Sequence, residues 1–281
     1  MSAMSAPNTM PRGAVERRVA RWRGGAVDER ADTIAEEVPV ALLYNGESFA
    51  VMMATPADLD DFALGFSLSE GVIAHAAELA ACRVEQRLEG YEIEMTIPAA
   101  RAQALASRER TLEGRSGCGV CGSRRLDDLV RVPAPVDAEP HVTAHALDEA
   151  LAQMAARQSL AAATGATHAA AWANVDGTVA LLREDVGRHN ALDKLIGAMT
   201  RAGTARDAGF AVVTSRASYE LAMKAASAGI AVLAAVSAPT ALAISLADSA
   251  GVTLIGFARP GGCAVYTHGR RYLGDKDGTN A

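Results

Sequence analysis

The sharpest chemical feature of this chain is Cys118-Gly-Val-Cys121. Two thiols at this spacing can chelate a metal, cycle between dithiol and disulfide, or pass on a sulfur atom. A structural zinc site normally takes four ligands, usually with a second Cys or His pair. Here Cys82 and Cys263 stand alone, and His141/His145 is the single close pair among the six histidines. A zinc nucleotide deaminase also needs an H-x-E motif, and no histidine has Glu two positions later. No metal site is therefore expected. Gly117, Gly119 and Gly122 predict a mobile loop in place of the strand-then-helix setting of a thioredoxin-like pair. A mobile thiol can visit two partners, which suits a group carrier. Arg115, Arg124 and Arg125 bracket the pair and can supply the positive charge that favours a thiolate nucleophile. Redox or sulfur-transfer chemistry leads, ahead of a metal site and of an inert buried pair.

A second constellation is Arg183-Glu-Asp-Val-Gly-Arg-His-Asn190. Charge this dense after a strand is either a solvated turn or a ligand pocket. Arg188 and His189 can meet phosphate, and Glu184 or Asp185 can accept from a guanine edge; the bland alternative is a Glu184/Arg188 ion pair of little energetic weight. Thr214-Ser-Arg-Ala-Ser218 reads either as a phosphate-binding helix start or as an ordinary N-cap at Ser218. Phe257-Ala258-Arg259-Pro260-Gly261-Gly262 allows close backbone approach to a ligand, or is a plain hairpin turn. None of these glycine patterns is a P-loop or a dinucleotide fingerprint.

The elements that must position these residues fall into two patterns. Val38–Tyr44 and Ser48–Met53 flank Asn45-Gly46, a strong type I′ hairpin signal. Thr55-Pro56 predicts a helix start, with Leu59, Phe62, Ala63 and Phe66 at helical spacing and Gly71 closing it. A second hairpin spans Arg83–Leu88 and Tyr91–Ile97, and a helix follows over Ala99–Leu112. Three prolines within Val132–His141 predict a linker. Beyond it come a helix over Thr143–Arg157 and a hairpin turned at Asp176-Gly177. A helix over Asn190–Met199, capped by Asn190, opens an alternation of Phe210–Thr214, Ser218–Ala228, Ile230–Val236, Pro239–Ala250 and Val252–Phe257, closed by an antiparallel strand at Cys263–Thr267. Short apolar strands separated by helices imply an α/β sheet, parallel or mixed, with helices on both faces. Right-handed crossovers then bring Arg183–His189, Thr214–Ala217, Ser237-Ala238 and Phe257–Gly262 to one rim, where open α/β sheets bind ligands. The expected organisation is a flexible basic tail (1–37), an α+β region with the CxxC loop (38–131), a linker (132–142), a second domain (143–271) and a short tail (272–281).

Composition narrows the function class. With 27 Lys+Arg against 33 Asp+Glu in 281 residues, a net charge of -6 argues against a nucleic-acid binder. No stretch approaches the roughly 20 apolar residues of a membrane helix. Arg17-Arg18 is not followed by an apolar signal-peptide core, so the four cysteines are expected to be reduced cytoplasmic thiols.

Four segments together, SGCGVCG at 116–122, REDVGRHNALDK at 183–194, TSRASYEL at 214–221 and GFARPGGCAVYTH at 256–268, resemble the FdhD family of formate dehydrogenase accessory proteins. The resemblance runs from about Val38 to Arg271. It implies a cytoplasmic, dimeric sulfurtransferase that takes persulfide sulfur from a cysteine desulfurase. The sulfur goes to molybdenum in the bis(molybdopterin guanine dinucleotide) cofactor of formate dehydrogenase, for which GDP is a simple mimic. It further implies that Cys118 bears the persulfide beside its companion Cys121, that Phe257–Gly262 binds the cofactor, and that the C-terminal half has a cytidine deaminase-like fold. The rival readings are a nucleotide-modifying zinc hydrolase on the same fold and a non-catalytic cofactor chaperone.

Overall fold

The computed structural model describes residues 10–109 and 133–274. The chain opens on a hairpin, β1 (Ala14–Arg23) and β2 (Ala26–Ala35), where residues 1–37 were expected to be a flexible tail. The turn rests on Gly24 and Gly25, both at positive φ, as a two-residue turn of the type I′ kind requires. Across the strands Val15 faces Ile34, Trp22 faces Val27 and Arg17 faces Asp32, while Arg21 reaches Asp32 at 3.1 Å. Arg17 and Arg21 thus stand opposite or beside acidic residues across the ladder, an arrangement that favours pairing.

A four-stranded sheet follows, built of β3 (Val38–Tyr44), β4 (Glu47–Ala54), β5 (Ala81–Gln86) and β6 (Tyr91–Thr96) in the order β4-β3-β6-β5. Both expected hairpins are present, and β3 joins them by pairing parallel to β6. Asn45 and Gly46 take the positive φ of the first turn, and the Asn45 amide brackets Ile97 through both its oxygen and its nitrogen. Val40, Leu42, Ile93 and Met95 bury one face beneath Phe62 and Phe66 of α1 (Leu59–Ser69), and α2 (Ala99–Glu109) follows β6. The α1 helix starts later than Thr55-Pro56 predicts. The Thr55 hydroxyl is turned to the other half of the chain, where it accepts from the Val186 N–H at 3.2 Å. Asp58, in a left-handed conformation, precedes the first turn instead.

The second half contains β7 (Val142–Thr143), α3 (Ala144–Arg157), α4 (Ser159–Thr164), β8 (His168–Asn174), β9 (Val179–Asp185) and α5 (Arg188–Arg201). It continues with β10 (Gly209–Val213), α6 (Tyr219–Ser227), β11 (Val232–Ala235), α7 (Ala241–Ser249), β12 (Thr253–Arg259), β13 (Gly262–Val265) and β14 (Tyr272–Gly274). Six strands form one mixed sheet in the order β13-β12-β11-β10-β8-β9, parallel from β10 to β12 and antiparallel elsewhere. Leu192, Leu195, Leu221 and Leu246 cover one face from α5, α6 and α7; Leu147, Leu151 and Met154 of α3 cover the other. This is the α/β architecture with helices on both faces that the strand pattern implies. The expected linker is anchored on the surface of this half, with the Val136 N–H donating to the Ala250 carbonyl at 2.9 Å and Glu139 accepting from buried Arg271 at 3.0 Å. Ordered structure also extends into the expected C-terminal tail, since Tyr272–Gly274 pairs with β7.

The two halves meet where α1 crosses α5. A Cβ on Gly65 would stand 1.7 Å from the Asp193 carbonyl oxygen, and one on Gly197 would stand 1.9 Å from that of Asp61. Only glycine fits at either position, because the obstructing atoms are backbone. Gly65→Ala is therefore expected to lower unfolding free energy by at least about 1–3 kcal/mol in denaturant titration, the range for overpacked cores. Gly262→Ala, whose Cβ would meet nothing within 4 Å among the described residues, is the control and should leave stability nearly unchanged.

Candidate functional site

Because β9 and β10 both run antiparallel to β8, the C-terminal ends of β9, β10, β11 and β12 open on one edge of the sheet. The loops there are stitched to one another. His189, in the first turn of α5, bonds through Nε2 to Glu220 at 2.8 Å and lies 3.4 Å from the Ser218 hydroxyl. The Ala217 N–H donates to the Ala238 carbonyl, and the Thr240 N–H donates back to Ala217. The Phe257 N–H donates to the Ser237 carbonyl at 3.2 Å. A continuous belt thus links all four rim loops predicted from the sequence.

The belt is positively charged. Arg188 is half-buried and its Nε has no hydrogen-bond partner among the described residues, while Arg216 and Arg259 are exposed. The N-terminal turns of α5 and α6 add their backbone N–H groups and helix dipoles. His168, at the start of β8, belongs to the same neighbourhood: burial first, then the charges of Arg188 and His189, push its imidazole below the usual histidine range. Ser218 caps α6 by accepting from the Leu221 N–H, so its N-cap reading holds.

Phe257–Gly262 is at once a hairpin turn into β13 and part of this rim. The ladder is irregular between Gly256 and Arg259, and Phe257 sits at φ 51 and is 44% exposed. A bulky residue in the left-handed region is uncommon and marks a locally constrained backbone. The preceding Gly256 is closely packed, since a Cβ there would come within 2.8 Å of the Pro239 ring and 2.9 Å of the Tyr266 ring. Ala258 is buried; Arg259, Pro260, Gly261 and Gly262 are exposed.

Other residues of the second constellation serve a different purpose from the one expected. Glu184 does not pair with Arg188 and is not free for a base edge: it accepts from the Leu160 and Ala161 N–H groups at 3.0 and 2.7 Å, and from the Thr167 hydroxyl. Asp185 is fully buried and pairs with Lys194 Nζ at 2.6 Å. It also accepts from the Thr55 and Gly187 N–H groups and from the Asn190 amide. Asn190 is consequently inside α5 and not its cap, its amide shared between Asp185 and the Met53 carbonyl. Arg183 reaches across to Asp61 at 2.7 Å. Asp193 accepts from Ser69 at 2.6 Å and from Lys224 at 3.0 Å. Burial lifts the Asp193 carboxyl above the ordinary carboxylate range. Burial would lower Lys224, but Asp193 and Glu70 override it and hold the ammonium above the ordinary lysine range. Glu184 thus fastens α4, Asp185 the end of β4 and Asp193 α1, while Arg188 and His189 lie at the rim loops.

His168 and Glu220 were not singled out from the sequence. Glu220 stands two residues after the Ser218 cap, the one local hint of its position. Cys118 and Cys121, with Arg115, Arg124 and Arg125, lie outside the described residues. Among the described residues no group of three or more His, Cys, Asp or Glu side chains could hold a metal ion, and no helix is long and apolar enough to cross a membrane.

Comparison with known proteins matches residues 35–273 to the FdhD/NarQ family. The chain is 58% identical over 271 residues to a protein of Xanthomonas euvesicatoria pv. vesicatoria named Sulfur carrier protein FdhD, covering 96% of each. It is 51% identical over 253 residues to a protein of the same name from Cupriavidus necator, covering 90% of this chain and 88% of that one. Among solved structures, a formate dehydrogenase accessory protein from Desulfotalea psychrophila shares the fold, with a TM-score of 0.72 at 22% identity, over 92% of this chain and 99% of that one.

The buried clamp gives a direct expectation. Lys194→Met strands the Asp185 carboxylate without its cation and should cost about 3–5 kcal/mol of stability, as for a buried pair that loses one partner. Lys194→Met combined with Asp185→Leu should recover part of that loss in the same denaturant titration.

Proposed function

Because this chain belongs to the FdhD/NarQ family, we propose that it is a sulfur carrier serving formate dehydrogenase, acting as a sulfurtransferase through Cys118. The observation that carries the reading is the near full-length identity to proteins named for sulfur carriage, in a chain with a Cys118-x-x-Cys121 pair. The Cys118 thiolate attacks the outer sulfur of a cysteine desulfurase persulfide. One S–S bond forms, the desulfurase S–S bond breaks, and the desulfurase leaves as its thiolate. Cys118 then holds the persulfide, with Cys121 as its companion. The acceptor is molybdenum in the bis(molybdopterin guanine dinucleotide) cofactor, before it enters the formate dehydrogenase catalytic subunit. The cytoplasm is the expected compartment and a homodimer the expected assembly.

The rim supports the cofactor part of this reading. A guanine dinucleotide carries phosphates, and Arg188, His189, Arg216 and Arg259 belong to loops stitched into one belt with two helix N-termini. Phe257 presents an exposed ring on that belt, suited to stacking on a purine. Gly261 and Gly262 leave the turn backbone open to close approach.

Two measurements test the proposal. Incubation with a cysteine desulfurase and cysteine should add one sulfur atom to the intact-protein mass, and Cys118→Ala should abolish that gain together with formate dehydrogenase maturation. Full labelling of Cys118→Ala would transfer the carrier role to Cys121 or remove it. Separately, GDP should bind, and Arg188→Met should weaken it about 10- to 150-fold, the worth of one charge-assisted hydrogen bond. Persulfide formation should be unchanged in that variant.

A further inference from the structure

A guanine base offers two adjacent donors, N1–H and the N2 amine, and a carboxylate is their natural acceptor. The two carboxylates nearest the rim in sequence cannot serve. Glu184 is committed to two backbone N–H groups and a hydroxyl, and Asp185 is buried against Lys194. Glu220 is engaged by His189 at 2.8 Å. A fourth carboxylate approaches from the opposite face of the sheet. Asp148, on α3, accepts from the Gly261 N–H through Oδ1 at 3.1 Å and Oδ2 at 3.0 Å. That contact sits on the Phe257–Gly262 turn itself. Among the described residues no lysine, arginine or histidine pairs with Asp148. Its two oxygens share one donor, so most of their lone pairs are still available. Among the described residues the space over the turn is open, since a Cβ on Gly261 or Gly262 would meet none of their atoms within 4 Å.

We propose that Asp148 reads the guanine edge of the nucleotide held at the Phe257–Gly262 turn and is a specificity-determining residue of the site. The inference rests on the reading of that turn as a nucleotide site. The carboxylate accepts from N1–H and N2–H of guanine, while its bond from Gly261 keeps it aimed at the turn. Adenine presents an acceptor at N1 and no donor pair on the same edge, so it leaves the carboxylate unpaired. Hypoxanthine keeps N1–H and lacks the N2 amine, so it should fall between the two.

The test is a titration of the full-length protein with GDP, IDP, ADP and XDP, for wild type and Asp148→Asn. The asparagine carbonyl still accepts from Gly261, so the turn retains its clasp. Wild type should prefer GDP over IDP and IDP over ADP. Asp148→Asn should bind GDP about 10- to 150-fold more weakly, the worth of a hydrogen bond to a charged acceptor. It should also gain affinity for XDP, because an amide N–H can donate to the xanthine O2 while its oxygen accepts from N1–H. That gain is a readout that a purely structural clasp would not produce. If Asp148→Asn keeps the wild-type preference for GDP, the inference is overturned while the nucleotide site stands. If wild type binds GDP no better than ADP, or binds neither, the nucleotide reading itself fails and takes the inference with it. Should Asp148→Asn not fold by circular dichroism, Asp148→Ser is read by the ratio of GDP to ADP affinity: a ratio near one supports the role, and an unchanged ratio removes it.

Discussion

The arrangement of the molecule depends on one buried carboxylate, Asp185. It is fully enclosed and is met by the Lys194 ammonium, the Thr55 and Gly187 N–H groups and the Asn190 amide. Lys194 in turn donates to the Thr55 carbonyl at 2.9 Å. Burying two charges is expensive, and a well-packed apolar substitute is often as stable. What this pair contributes is position. It ties the end of β4 to the start of α5, so the turn through Val186 and Gly187 has one conformation. That conformation sets where Arg188 and His189 emerge on the rim. The close crossing of α1 and α5 at Gly65 and Gly197 holds the same joint over a longer surface. The first half of the chain is therefore part of the support of the site, although its sheet is separate from the one whose edge forms the rim.

On the rim, Glu184, Asp185 and Glu220 are given internal partners, while Arg216 and Arg259 are exposed. The chain as a whole carries a net charge of -6, yet the belt presents Arg188, Arg216 and Arg259 beside two helix N-termini. Local sign, not net charge, governs what approaches such a surface. His168 adds little charge near neutrality, because burial and its cationic neighbours favour the neutral ring. The backbone at Phe257 is held against its preference; a left-handed conformation costs an ordinary residue roughly 1–2 kcal/mol. The bond to Ser237 and the contact of Gly256 with Pro239 and Tyr266 keep it there.

Much of this was legible in the sequence, because it is written in local periods and turn chemistry. Asn45-Gly46 and Asp176-Gly177 marked two hairpins, Ser218 marked the start of α6, and the run of short apolar strands marked a sheet covered on both faces. The family resemblance was legible too, in segments quoted residue by residue. Local signals misled where a side chain was committed at long range. Thr55 looks like a helix cap and is a strut between β4 and β9; Asn190 looks like a cap and is the third residue of α5. The arginines of β1 and β2 suggested a solvated tail because composition does not show which residues face each other across a hairpin.

What only the tertiary structure decided is which groups are spent and which are free. Glu184, Asp185 and Glu220 carry the same charge in the sequence, and nothing local distinguishes them from Asp148. Asp148 lies 113 residues before the glycine that it holds. The periodicity of a strand or helix repeats over two to four residues and fixes which face a side chain takes. The partner waiting on that face comes from whichever segment the topology brings there, so the sequence determined the elements and the packing assigned their polar groups.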